Sequence, residues 1–290
     1  MRPTQVKGGP RISVRYKSRF VLTRIVIAAL GIPVILATNY WRGGEFFWVF
    51  GAIVGLGGVW ELSRALNAAG RDHSPVWPMA AVACLLLGAS LPNGSFPTVP
   101  ALIGIYLSSL AVETLHRQPM PWTRVSNALA TSAWPALAAV PLALRLRPPG
   151  GSHDGSAWIL TALLLVWAAD SGAYFAGHLF GRRKLAPTLS PGKTWEGAIG
   201  GLILSTLVGG AIARFMAPEM FPHGTPSELI LGILVGIGSP IGDLVGSGIK
   251  RELGIKDFGG WLPGHGGILD RFDSFLFVCP ILYAWAAVMS

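Results

Sequence analysis

Apolar residues gather into long runs separated by short polar segments in this 290-residue chain. A helix that crosses a bilayer needs roughly 20 apolar residues. Runs of about that length lie near 20–41, 44–60, 76–92, 98–115, 125–144, 157–177, 197–217, 227–248 and 267–288. The pattern predicts an all-α, polytopic membrane bundle of about nine transmembrane helices. Gly31, Pro33, Pro135, Pro141, Gly209 and Gly210 fall inside these runs. Membrane helices tolerate such residues because neighbouring groups satisfy the freed backbone, and small residues let helices approach closely. The first run follows a basic stretch of Arg2, Lys7, Arg11, Arg15, Lys17 and Arg19 and ends in Asn39-Tyr40-Trp41. It is longer than the 7–15-residue apolar core of a signal peptide, so an uncleaved first helix is expected.

Composition supports this class. Charged residues make up 13% of the chain and hydrophobic ones 51%; an average soluble domain carries roughly 25% charge. So much apolar area excludes a solvated, disordered chain. Cys84 and Cys279 both lie within apolar runs, which excludes a disulfide scaffold. The net charge of +9 raises the question of nucleic acid. The cations, however, sit at the ends of apolar runs, and no nucleic-acid partner is expected. With the N-terminus in the cytoplasm and nine alternating spans, only Arg42, Arg145, Arg147 and Arg214 fall on the far side. That asymmetry is the positive-inside pattern. It puts the polar loops 178–196 and 249–266 on the cytoplasmic face. Residues 1–165 read as N-terminal helices and 166–290 as the functional region of one integrated membrane domain.

Charges in or beside a span are costly and mark function by default. The N-terminal half offers Arg24, Glu61 and Glu113; the C-terminal half is richer. One cluster is Asp170-Ser171-Gly172-Ala173-Tyr174, followed by a loop carrying Ser190-Pro191-Gly192-Lys193-Thr194-Trp195-Glu196-Gly197. Gly192-Lys193-Thr194 is not a phosphate-binding loop: position 187, where that motif needs Gly, is Pro, and no strand is expected before it. A second cluster combines Asp243, Ser247, Lys250, Arg251, Lys256 and Asp257 with Leu262-Pro263-Gly264-His265-Gly266-Gly267 and Asp270-Arg271-Phe272-Asp273. Asp270 and Asp273 are three apart and share a helix face. Three carboxylates at one depth repel unless cations or a divalent metal neutralise them. Oxygen ligands suit Mg²⁺, which takes one or two carboxylates plus substrate phosphates. Gly264, Gly266 and Gly267 let backbone approach a ligand at a helix N-terminus. His265 has no second His or Cys at zinc spacing and reads as a phosphate or loop contact. The bland alternative is an ion-pair network that only pins helices together.

The run Ser247-x-x-Lys250-Arg251-x-x-x-x-Lys256-Asp257, then Leu262-Pro263-x-His265-Gly266-Gly267-x-x-Asp270-Arg271-x-Asp273, resembles the signature of phosphatidate cytidylyltransferases, or CDP-diacylglycerol synthases. The segments at 170–174 and 190–197 are similar to the family's other recurrent segments, with Ser171 where Thr is expected. The resemblance covers 167–288. It implies transfer of a cytidylyl group from CTP to phosphatidate at the cytoplasmic face of a cell membrane. It also implies Mg²⁺, with K⁺ as a second cation, and a homodimer. By matched position, Asp243 and Asp270 are the expected metal ligands, with Asp273 as a third. Lys250 and Arg251 join Asp243 and Asp270 as expected catalytic groups. Asp170, Ser190, Lys193, Ser247, Lys256, His265, Gly266, Gly267 and Arg271 are expected to bind substrate.

Two other readings stand beside it. A related CTP-using enzyme would act on another lipid phosphate or a polyprenol. An ion-coupled transporter would also carry intramembrane charges, but the charges here concentrate in one half, and no matching pair of Gly/Pro-broken helices is found.

Overall fold

The computed structural model describes residues 32–91, 96–115, 121–149, 155–215, 227–260 and 266–289. Among the described residues the regular structure is helical, apart from one short hairpin. Helix α1 is seen over 32–40; the rest of the expected first span, the basic N-terminus and His265 lie outside the described residues. The following helices are α2 (Phe47–Ala68), α3 (Val76–Ser90), α4 (Thr98–Leu115), α5 (Pro121–Ala133), α6 (Ala139–Leu146), α7 (Gly155–Phe180), α8 (Trp195–Phe215), α9 (Ser227–Glu252) and α10 (Leu269–Met289).

Seven helical segments among the described residues are long and apolar enough to cross a membrane; Val76–Ser90 is shorter. The protein is therefore read as a multi-pass membrane protein, with the expected spans from the second onward appearing as helices. Two differ from the linear reading. Helix α2 runs eight residues past the expected end at 60 and so carries Glu61 inside it. The run at 125–144 is split into α5, a 3-10 turn over Pro135–Ala138 and α6. Pro135 lacks the N–H that would continue the helical ladder there. The polar loop 178–196 also differs: β1 (Lys184–Ala186) and β2 (Ser190–Thr194) pair antiparallel, Lys184 opposite Thr194. A strand does precede Gly192-Lys193-Thr194, contrary to expectation, but these residues themselves form β2 rather than a phosphate-cradling loop. Thr194 Oγ1 accepts the Gly197 amide at 3.1 Å and so caps α8.

Helices α7, α8, α9 and α10 form the C-terminal bundle, with α2 and α6 packed against it and α3 packed on α2 and α6. The buried core brings Trp158, Ile159 and Leu165 of α7 together with Phe275, Val278, Cys279 and Leu282 of α10 and Leu142 and Leu144 of α6. Small residues set the closest crossing. A Cβ on Gly172 would stand 2.5 Å from the Gly200 carbonyl oxygen, and one on Gly200 would stand 2.8 Å from that of Gly172. Backbone meets backbone there, so a larger side chain must part α7 from α8.

A buried polar knot holds the turn after α2. The His73 amide donates to Asn67 Oδ1 at 3.2 Å, its Nδ1 donates to the Arg71 carbonyl at 3.3 Å, and its Nε2 lies 3.2 Å from Thr131 Oγ1 on α5. Beside it, Arg124 bridges Asp72 and Glu113, the latter at 2.7 Å. Burial holds the His73 imidazole below its ordinary pKa, outweighing the opposing pull of the Arg71 carbonyl and the Asp72 and Glu113 charges.

Gly172→Val should destabilise the detergent-purified protein by about 1–3 kcal/mol through overpacking. Gly104→Val, where nothing lies within 4 Å, should leave the melting temperature unchanged. Equal melting temperatures for the two variants would contradict the tight crossing. For His73 the sign is fixed by the lowered pKa: the unfolded chain takes up a proton below about pH 6.5, the folded chain only at lower pH. Stability should therefore fall as pH drops through and below that value, and His73→Gln should flatten the fall. Parallel pH profiles of melting temperature for parent and variant would contradict it.

Candidate active site

A cavity of about 890 Å³ opens between α1, α7, the hairpin, α9 and α10. Its walls carry Asp170 from α7, Lys193 from β2, Asp243 and Lys250 from α9, Asp257 from the following loop, and Asp270, Arg271 and Asp273 from α10. Much of the remaining wall is apolar, from Ile32, Ile35, Leu163, Val166, Phe272 and Phe275 among others, with Tyr174, His178, Thr194 and Ser274 also on it. The size is that of a small-molecule site, and the mixture of charged and apolar wall suits an amphipathic ligand.

The acids and bases are paired across elements. Lys193 Nζ lies 2.6 Å from Asp243 Oδ2 and also donates to the Pro240 carbonyl at 3.3 Å. Lys250 Nζ lies 2.7 Å from Asp270 Oδ1 and sits over the Phe258 ring. Both members of the second pair are nearly enclosed, with side chains 11% and 2% exposed. Asp270 Oδ2 accepts the amides of Phe258 at 2.8 Å and Gly267 at 2.9 Å. Gly266 turns beside it with φ +77°, and a Cβ there would meet Asp270 Oδ2 at 2.8 Å. Asp170 Oδ1 accepts the Ser239 hydroxyl at 3.1 Å, and Asp273 Oδ1 accepts the Ser274 amide at 2.8 Å. Asp170, Asp243 and Asp273 lie within electrostatic reach of one another.

The expected site residues therefore divide into three groups. Asp170, Lys193, Asp243, Lys250, Asp270, Arg271 and Asp273 share the cavity, and Asp270 and Asp273 both face it, as their spacing predicts. Ser190, Ser247, Arg251, Lys256, Gly266 and Gly267 stand outside its wall. Of these, Ser247 Oγ is 3.5 Å from Asp243 Oδ1, and Arg251 Nε donates to the Leu189 carbonyl at 3.2 Å, tying α9 to the hairpin. Exposed Lys256 lies on the loop beyond α9. His265 lies outside the described residues. Asp243 and Asp270 reach the same cavity but are each held by a separate lysine. Among the described residues, no three His, Cys, Asp or Glu side chains are gathered closely enough to hold a metal ion together. Ser239, Tyr174 and His178 were not expected as site residues. Ser239 orients Asp170, and the Tyr174 and His178 rings, both on the wall, stack 6.0 Å apart. A lone serine before Pro240 in an apolar run was visible, but linear spacing does not pair it with a residue 69 positions away.

Such an arrangement can receive an anionic ligand. Ammonium groups neutralise phosphate oxygens, the carboxylates they release are hard oxygen ligands, and a low-dielectric surround strengthens both effects. Comparison with known proteins agrees with this chemistry. A phosphatidate cytidylyltransferase from Staphylococcus haemolyticus (strain JCSC1435) is 51% identical over 129 residues, covering 44% of this chain and 48% of that protein. One from Bacillus subtilis (strain 168) is 46% identical over 136 residues, covering 47% and 49%. In these matches the chain spans about half the length of the curated relatives. The family model described as "Cytidylyltransferase family" matches residues 22–289, which takes in every described helix, and on that match the chain belongs to the cytidylyltransferase family.

Proposed function

We propose that the protein transfers the cytidylyl group of CTP to phosphatidate, forming CDP-diacylglycerol and pyrophosphate for phospholipid synthesis. The observation that carries this reading is one cavity in which paired lysines and aspartates share the wall with an apolar surface, in a chain of the cytidylyltransferase family. A triphosphate needs the first and acyl chains need the second.

The reaction asks little of a nucleophilic side chain. Phosphatidate's own phosphate monoester attacks; its second pKa is about 6, so it is largely ionised near neutrality. One of its oxygens bonds to the α-phosphorus of CTP, the α–β anhydride bond breaks, and pyrophosphate leaves with the electron pair. The barrier lies in bringing two anions together in line, which calls for positioning and charge neutralisation. Lys193, Lys250 and Arg271 supply positive charge at the wall. Arg251, just outside it, holds the hairpin that carries Lys193. Lys193 and Lys250 exchange their aspartate partners for phosphate oxygens as CTP enters.

The donor set fits Mg²⁺, being all carboxylate oxygen around one cavity. Mg²⁺ takes one or two carboxylates and completes its shell with phosphates and water, so no three-residue cage is needed. Asp243 would hold it, with Asp270 or Asp273 as the second ligand; when bound it supplies further neutralisation of the triphosphate. K⁺ as a second cation, a homodimer, and a cytoplasm-facing site in a cell membrane with a cytoplasmic N-terminus belong to the same proposal. The charge asymmetry of the loops supports that orientation.

The test supplies purified protein in detergent with CTP, Mg²⁺ and phosphatidate, and follows pyrophosphate and lipid product. Equal amounts of pyrophosphate and CDP-diacylglycerol are expected. Asp270→Asn should lower turnover at least 100-fold while the protein still purifies as a single species. Preference for a polyprenol or ether-lipid phosphate would move the activity to another lipid. No pyrophosphate with any lipid phosphate, together with ion flux in vesicles, would overturn the reading in favour of a transporter.

A further inference from the structure

Glu61 lies in α2, in the half of the chain that contributes little to the cavity, and is not part of its wall. It is 2% exposed. A carboxylate enclosed in a membrane bundle is costly unless its oxygens are satisfied. Both are: Oε1 accepts the Ile268 amide at 2.8 Å and Oε2 the Leu269 amide at 3.1 Å. These are the first amides of α10, which have no partner within their own helix and sit at its positive end. Glu61 thus caps α10 from another helix, about 200 residues away in sequence.

The same turn is held from its other side. Asp270 Oδ2 takes the Gly267 and Phe258 amides, while its Oδ1 holds Lys250. A Cβ on Gly267 would come within 2.6 Å of Glu61 Oε1, and one on Gly259 within 2.5 Å. Backbone on both sides of the signature loop therefore closes directly on the Glu61 carboxylate, with no room for a side chain. Residues 266–270 are clamped between two acids, Glu61 away from the cavity wall and Asp270 on it.

We propose that Glu61 is a positioning residue. It fixes the first turn of α10 so that Asp270, Arg271 and, through Asp270, Lys250 meet the cavity in working alignment. The inference rests on the cytidylyl-transfer reading for its kinetic consequence, but not for the anchoring itself.

Glu61→Gln keeps the size of the side chain but places an NH₂ group against an N–H donor and removes the charge. In monodisperse, detergent-purified protein, kcat should fall at least tenfold, with KM for phosphatidate within threefold of the parent. Amides 266–270 should exchange hydrogen at least tenfold faster, with exchange in α7 and α8 unchanged. Glu61→Asp, which keeps the charge, should recover part of the turnover and serves alone if Glu61→Gln does not fold. A merely structural role would lower the melting temperature yet leave kcat per folded molecule within twofold of the parent. That result, or unchanged exchange at 266–270, overturns the proposal. A parent protein without cytidylyl transfer counts against the proposed function, and the exchange measurement then decides the anchoring by itself.

Discussion

Charge compensation inside an apolar bundle is the constraint on which this structure depends. Lys250 and Asp270 are almost wholly enclosed and 2.7 Å apart. Removing either partner of such a pair is destabilising, because it leaves an uncompensated charge in low dielectric. Lys193 and Asp243 repeat the arrangement nearer the opening, where Asp243 is 37% exposed. Each pair joins two parts of the chain: β2 to α9, and α9 to α10. The cavity is thus lined by charges that hold the bundle together and that a phosphate ligand can recruit. The price in desolvation is offset by the two amide hydrogen bonds on the other oxygen of Asp270.

Glu61 extends the same logic to the N-terminal half. Without the helix-terminal amides it would be a lone buried carboxylate; without Glu61, α10 would begin with bare amides in an enclosed space. Meeting both needs at once ties α2 to the loop that carries the Gly266-Gly267 turn. Among the described residues the N-terminal helices add only Ile32 and Ile35 of α1 to its wall.

Much of this was legible in the sequence. Long apolar runs marked the helices because the bilayer sets their length, and dense charge in the C-terminal half marked the cavity because such residues are costly without a role. What stayed hidden was partnership. Nothing in spacing says that Lys193 pairs with Asp243 or that Glu61 meets Ile268; those contacts exist only once α2, the hairpin and α9 have packed. The hairpin was missed for a related reason. Residues 184–194 are polar and rich in proline, and their pairing is stabilised by Glu196, which accepts the Arg182 amide at 3.0 Å, and by Arg251 on Leu189. The residues that form it carry little strand propensity of their own. Pro135 was visible as a helix breaker, but whether it would kink a span or split it depended on the neighbours it packs against.

The central claim is that the carboxylates of this cavity release their lysines to hold a divalent cation together with the triphosphate. Electron paramagnetic resonance of Mn²⁺, used in place of Mg²⁺, tests it directly in the purified protein. Bound Mn²⁺ should increase when CTP is added to the parent, and Asp243→Asn should abolish that increase. Binding of Mn²⁺ and CTP by Asp243→Asn indistinguishable from the parent would contradict the account.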